Sequence, residues 1–291
     1  MSFSTAATIR KNSKRREAMA RSVFRGLRLL ILFPVVAGCT VLENRVPCPC
    51  YLDVDYREVA TGDRADMPGG VVDVKLFAPE PGWTQRHRLD DCPELEEVTV
   101  DKARIRVVGL VHDRPLRGFL DEGTEIRYEP GNQIDSLYVH TEEVNCTGEE
   151  ARAVLRPHKQ FSTIFITDEE DGDLCRQYHL VIRGTTCGFD AADCAALEGP
   201  YWYTVQEYDG AGRISVRIPR QLRDDLVLEF WDKESRLKLF SSPLGLRIFD
   251  AGYDPAAEEL PDYEFRIDFR RALVFLRIVD WEEVRVYGLY E

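Results

Sequence analysis

The stretch Tyr263-Glu264-Phe265-Arg266-Ile267-Asp268-Phe269-Arg270 alternates apolar and charged side chains without a break. Successive side chains of a β-strand point to opposite faces, so this segment as a strand has four large apolar groups on one side and four charges on the other. As a helix it would scatter both kinds around the axis. The same period recurs at Ile214, Val216 and Ile218 between Arg213, Ser215 and Arg217, and at Leu226, Leu228 and Phe230 ahead of Asp232. Further candidate strands are 51–57, 71–78, 98–108, 136–144, 160–167, 176–183, 201–208, 236–241 and 271–279. Turn residues separate many of them: Met67-Pro68-Gly69-Gly70, Glu129-Pro130-Gly131-Asn132, Asp168 to Asp173 with Gly172, and Asp209-Gly210-Ala211-Gly212.

Many short strands punctuated by turns predict an all-β chain of sandwich type, with no helix longer than a couple of turns. The patterned region spans about 240 residues, more than one sandwich uses. Two sandwiches in tandem are therefore expected, 51–157 and 158–291, meeting near Arg156-Pro157-His158 where one strand-like run ends at a proline. No internal repeat is evident in the sequence. Residues 39–50 carry Pro47 and Pro49 and no periodic pattern, and read as a tether.

The N-terminus reads as an address. A basic run is followed by Leu29-Leu30-Ile31-Leu32-Phe33-Pro34-Val35-Val36-Ala37, far shorter than the roughly 20 apolar residues that span a bilayer. Basic residues, a short apolar core and small residues at a cleavage point make a secretory signal. Here the small residues run into a cysteine, Val36-Ala37-Gly38-Cys39, which resembles the bacterial lipobox. That resemblance implies a signal peptide over 1–38, cleavage between Gly38 and Cys39, and a diacylglycerol on the Cys39 thiol. Met19 to Gly38 alone has the length of an ordinary signal.

Formal net charge is −13, but eight of the 38 basic residues precede Cys39 against the single acid Glu17. The remaining chain carries 30 basic and 50 acidic residues, a net −20. Such a body repels phosphate backbones and anionic headgroups, which argues against nucleic acid as a partner and against electrostatic docking to membranes.

Setting Cys39 aside leaves Cys48, Cys50, Cys92, Cys146, Cys175, Cys187 and Cys194, an odd number for an exported chain. Cys187 and Cys194 close a short loop and are the expected local disulfide. Cys48-Pro49-Cys50 lacks zinc-knuckle spacing, and His87, His112, His140, His158 and His179 form no ligand pair, so no metal is expected. The Asp168–Asp173 cluster fails as an EF-hand: with Gly172 at the sharp turn, the loop would start at Thr167 and end at Tyr178. A solvated hairpin tip is the simpler reading. Nucleophile elbows and phosphate-cradling glycine loops are absent from the sequence, and carboxylates such as Asp53, Asp55, Asp224 and Asp225 carry no weight as general acids without a cleft. No enzymatic activity and no cofactor beyond the covalent lipid are expected.

Two stretches go further. Cys39-Thr40-Val41-Leu42-Glu43-Asn44-Arg45 with Cys48-Pro49-Cys50-Tyr51-Leu52-Asp53-Val54-Asp55 resembles the start of mature minor fimbrial subunits that anchor type V pili in Bacteroides-like bacteria. Val216-Arg217-Ile218-Pro219-Arg220-Gln221 and the tail Leu244-Gly245, Gly252-Tyr253-Asp254, Leu260-Pro261-Asp262-Tyr263, Ile267-Asp268-Phe269 and Trp281 resemble the same family near its end, and Lys159-Gln160-Phe161-Ser162-Thr163-Ile164 fits the start of its second domain. The resemblance implies transthyretin-like sandwiches, a lipid-anchored outer-membrane location at the cell surface, and an anchor that limits fimbrial length. Its implied partners are stalk subunits bound by β-strand complementation, with the outer membrane held through acyl chains. The alternative is a surface glycan-binding lipoprotein, which would align aromatics such as Trp83, Trp202, Trp231 and Trp281 on one solvent face.

Overall fold

A computed structural model describes residues 48–77, 82–113, 123–168, 178–205, 213–268, 273–279 and 284–288, with Pro49–Glu291 clustering as one compact unit. The chain is all-β, and the described residues form eighteen strands and one α-helix. Strands β1 (Cys50–Asp55), β4 (Leu95–Val100) and β8 (Glu150–Val154) form one sheet in the order β4-β1-β8. A second sheet runs β3 (Trp83–Arg88), β2 (Val71–Phe77), β5 (Arg104–His112), β7 (Leu137–Asn145) and β9 (His158–Lys159). Leu52, Val54, Val98 and Val100 of the first pack in one core with Val72, Val74, Leu76, Ile105 and Val107 of the second, the inward-facing alternate positions of each strand.

Beyond Gln160 the same arrangement starts again. Strands β10 (Phe161–Asp168), β13 (Ile214–Pro219), β16 (Tyr263–Asp268), β17 (Leu273–Ile278) and β18 (Val284–Gly288) form a sheet ordered β13-β10-β16-β17-β18. Strands β11 (Tyr178–Asp190), β12 (Ala195–Thr204), β14 (Val227–Asp232) and β15 (Lys238–Ser242) form another, ordered β12-β11-β14-β15. Ile164, Ile166, Val216, Ile218, Tyr263 and Phe265 meet Leu180, Ile182, Leu228 and Phe230 in the core.

The two halves share one topology although the sequence shows no repeat. In each, the first strand pairs antiparallel on one side and parallel on the other: β1 with β4 and β8, β10 with β13 and β16. In each, the next strands complete a second sheet in the same order, β3-β2-β5-β7 and β12-β11-β14-β15. The halves differ at their edges, β7 being followed by β9. The sheet of β10 continues past β16 through β17 and β18, whereas the sheet of β1 ends at β8 among the described residues.

Strand β6 (Glu125–Arg127) ties the halves together by pairing with the end of β11. A Cβ on Gly188 would lie 2.3 Å from the Ile126 carbonyl oxygen, so only glycine permits this pairing. Ile126, Phe189 and Ala191 then cover Val108, Leu110, Leu137 and Val139 on the outer face of the β2-β5-β7 sheet. That coverage explains why β5 is buried along most of its length instead of alternating.

Sequence and structure differ in places. The run 98–108 is two strands, because Asp101 and Lys102 make the turn between β4 and β5. The expected strand at 201–208 starts earlier, at Ala195. Strands β3 and β8 lie outside the sequence expectation; β3 is a polar edge strand and β8 is built on Ala151 and Ala153. The helix α1 (Leu244–Asp250) is two turns long. Trp281 and the turn segments 169–173 and 209–212 lie outside the described residues.

Candidate assembly surface and tether junction

Strand β1 is the first strand among the described residues, and it is the central strand of its sheet. Six residue pairs join it to β4, from Cys50 opposite Val100 to Asp55 opposite Leu95, and five join it to β8. A pull from the N-terminal side therefore loads two ladders. Asp55 latches the far end of the strand. Its carboxylate, 2% exposed, accepts hydrogen bonds from Arg57 Nε at 3.0 Å and Nη2 at 2.7 Å, and pairs with Arg152 of β8. The Arg57 hydrogen bond is the largest influence and, with Arg152, outweighs desolvation, holding the Asp55 carboxyl well below the usual carboxylate range. Cys39 and Gly38, ten and more residues before β1, lie outside the described residues.

Edge β8 is blunted in one place: the Val154 N–H donates to Glu142 Oε1 at 3.1 Å. Glu150 and Arg152 of the same strand are exposed. On the other sheet of this half, fully buried Asp73 of β2 accepts from Arg86 Nε at 2.6 Å and Nη2 at 2.7 Å, with His112 Nε2 3.1 Å away. Burial pushes the Asp73 carboxyl up, but the hydrogen bonds and charges of Arg86 and His112 outweigh it and hold it below the ordinary range. A carboxyl depressed in the folded state contributes stability above its unfolded pKa of about 3.9, and that contribution drains away as pH falls from there through the folded value. Asp73→Asn is accordingly expected to lower stability at neutral pH and to flatten the loss of stability below about pH 4. Denaturant titrations across that range check it, and an unchanged acid limb contradicts it.

The motif residues of the sequence form a structural knot. Arg220, 6% exposed at the end of β13, donates to Gln160 Oε1 at 3.0 and 2.6 Å and to the Pro255 carbonyl at 2.6 Å. The Gln221 N–H donates to the Tyr253 hydroxyl at 2.7 Å, and Gln221 Nε2 to the Pro219 carbonyl at 2.6 Å. Asp262 accepts from Lys159 Nζ at 2.7 Å and from the Thr163 N–H. Gly245 is the second residue of α1, where a Cβ would lie 2.4 Å from the Asp224 carbonyl oxygen. These residues join the start of β10 to the segment before β16, which is why they sit together in the fold while standing far apart in sequence.

A cleft of about 570 Å³ lies beside this knot, lined by residues that include Asp63, Asp113, Tyr138, Lys159, Arg217 and Asp262. Its charges are paired. Lys159 holds Asp262, Arg217 Nη2 lies 3.2 Å from Asp113, and the Tyr138 hydroxyl donates to Asp63. Burial and the Asp63 bond push the Tyr138 hydroxyl far above its ordinary value.

Cys187 and Cys194 are free thiols in the structure, not a disulfide. Cys187 lies inside the β11–β12 ladder with Sγ 3.4 Å from the Glu198 carbonyl oxygen, while Cys194 sits in the turn with a φ of 50° and Sγ 4.0 Å from the Ala191 carbonyl. Asp190 opposite Ala195 closes the hairpin between them. A bridge needs residues that face each other, and this register places Cys187 beside Glu198 and Leu197. Among the described tryptophans, Trp83 is on β3, while Trp202 and Trp231 flank β11 opposite Arg183 and His179 respectively.

No family model matches the sequence, and no curated protein matches it. Solved structures do. A Bacteroides thetaiotaomicron protein provisionally described as polysaccharide-binding aligns with a TM-score of 0.57 at 13% identity, covering 83% of this chain and 99% of that one. The fimbrial anchor protein Mfa2 of Porphyromonas gingivalis aligns with a TM-score of 0.53 at 10% identity, covering 84% and 100%. A provisionally described adhesin of Bacteroides ovatus aligns with a TM-score of 0.52 at 12% identity, covering 86% and 97%.

The chain has the fold of these fimbrial and adhesin proteins. Identities this low make the shared feature the fold itself, spanning nearly the full length of each solved chain.

Proposed function

We propose that this protein is a non-enzymatic accessory subunit of a cell-surface fimbria, joined to the outer membrane by lipid on Cys39 and to the stalk by β-strand complementation. As the last subunit it ends the fibre and limits its length. The observation that carries the reading is the placement of β1. The strand that continues the tether is the central strand of its sheet, so force from a fibre reaches the membrane through two ladders and the Asp55 latch. The fold shared with a fimbrial anchor supports it.

The strand-accepting edge in this reading is β8. In the second half the corresponding edge, β16, is covered by β17; in the first half it carries no further strand among the described residues. A donated strand would continue the sheet as β17 does, with main-chain hydrogen bonds supplying affinity and side-chain pockets supplying choice. A photo-crosslinking amino acid at Glu150 is expected to capture the stalk subunit in cells, whereas one at Lys238 on the opposite half's edge strand is not. Capture from Lys238 and none from Glu150 would place the junction elsewhere.

A further inference from the structure

Cys50 and Cys146 are free thiols in the structure, both fully buried in the same core, and they are near enough that Cys50 bears on the ionisation of Cys146. The backbone brings them together from two directions. Cys50 is opposite Val100, the last residue of β4, and the Cys146 N–H donates to the carbonyl of Ala103 at 2.9 Å, so both hang on the same tight β4–β5 turn. Just beyond, the Tyr51 N–H donates to the Glu149 carbonyl at 2.8 Å, which holds the segment after Cys146 against the residue after Cys50. Unlike Cys187 and Cys194, these two residues hang from backbone that pairs at the same corner of the core, the facing placement that a bridge needs.

We infer that Cys50 and Cys146 form a disulfide in the exported protein, clamping the point where the tether enters the fold. The two S–H bonds break and an S–S bond forms; the two electrons and two protons pass to the disulfide of an exported thiol–disulfide oxidoreductase, whose S–S bond breaks to give two thiols, by exchange through a mixed disulfide. Burial pushes the Cys146 thiol up to about 12, with the neighbouring Cys50 next in effect. The folded Cys146 thiol is therefore a poor nucleophile, and bridging belongs to folding, before the core closes. Once formed, the bond is shielded from reductants in the folded state.

The consequence is mechanical. Cys50 follows Cys39 by eleven residues. With the bridge in place, tension arriving along the tether passes covalently to Cys146 at the end of β7, and so into the β3-β2-β5-β7-β9 sheet, without first peeling β1 from its neighbours. The inference rests on the proposed surface location only for its oxidising compartment, and its test reads a different bond from the lipid.

The full mature protein, isolated from the cell envelope, is denatured with an alkylating reagent and no reductant, then digested. The Cys50 and Cys146 peptides are expected as one linked species lighter by two hydrogens than the separate pair. Two alkylated peptides would overturn the inference. Cys146→Ser is expected to melt about 10 °C below the wild type without reductant, since the bridge closes a loop of nearly a hundred residues. Coinciding melting curves would also overturn it, and if the variant fails to fold, the peptide map still decides.

Discussion

Replacing Cys39 by alanine is expected to move the protein from the membrane fraction to the soluble fraction almost completely. Each buried methylene of an acyl chain contributes roughly 0.8 kcal/mol, so two or three chains hold a protein at a bilayer far more tightly than the binding constant of about 10⁴ M⁻¹ given by one. The net charge of −20 on the chain from Cys39 onward opposes an anionic surface, and no described helix is long and apolar enough to cross a membrane. Membrane flotation followed by immunoblotting reads the effect, and a variant that stays with the membrane would contradict it.

Arg220→Ala is expected to cost about 2–5 kcal/mol of stability, because it leaves the buried Gln160 Oε1 and the part-buried Pro255 carbonyl without their donor and opens a hole the size of the side chain. For a chain of this length that corresponds to a Tm lower by roughly 5–15 °C. Arg220→Lys should recover part of it: one ammonium reaches one acceptor where the guanidinium spans two. Arg223→Ala is the control, since Arg223 and its partner Glu198 are both largely exposed, and a surface pair contributes at most about 1 kcal/mol. Thermal melts of the three variants rank them, and equal melting of Arg220→Ala and Arg223→Ala would refute the buried role.

Legibility in the sequence followed burial on one face. Strands β13, β14 and β16 cover core on one side and water on the other, and their period-two pattern announced them. Strand β5 is packed on both faces, by the first core and by Ile126, Phe189 and Ala191, so its run of apolar residues blurred into β4 across the Asp101-Lys102 turn. The edge strand β3 and the alanine strand β8 bury too little for periodicity to register. The topological repeat was invisible because sheet order is a property of pairing, and unrelated apolar residues fill equivalent positions: Leu52 and Val54 in β1, Ile164 and Ile166 in β10.

The knot residues were legible as a motif and not as a role. Pro219-Arg220-Gln221 and Leu260-Pro261-Asp262 stand forty residues apart and acquire meaning only when β10 lies between β13 and β16. The cysteines show the same limit. Spacing favoured Cys187 with Cys194, seven residues apart, whereas the fold brings Cys50 to Cys146 across nearly a hundred.

The most direct test of the account is the amount of fimbrial stalk protein in the culture medium of a Cys39→Ala strain. If the chain ties the fibre to the cell, whole fimbriae are shed and the stalk protein moves to the medium together with the variant. If the variant alone appears there and the fimbriae stay on the cells at unchanged length, the protein is not their anchor.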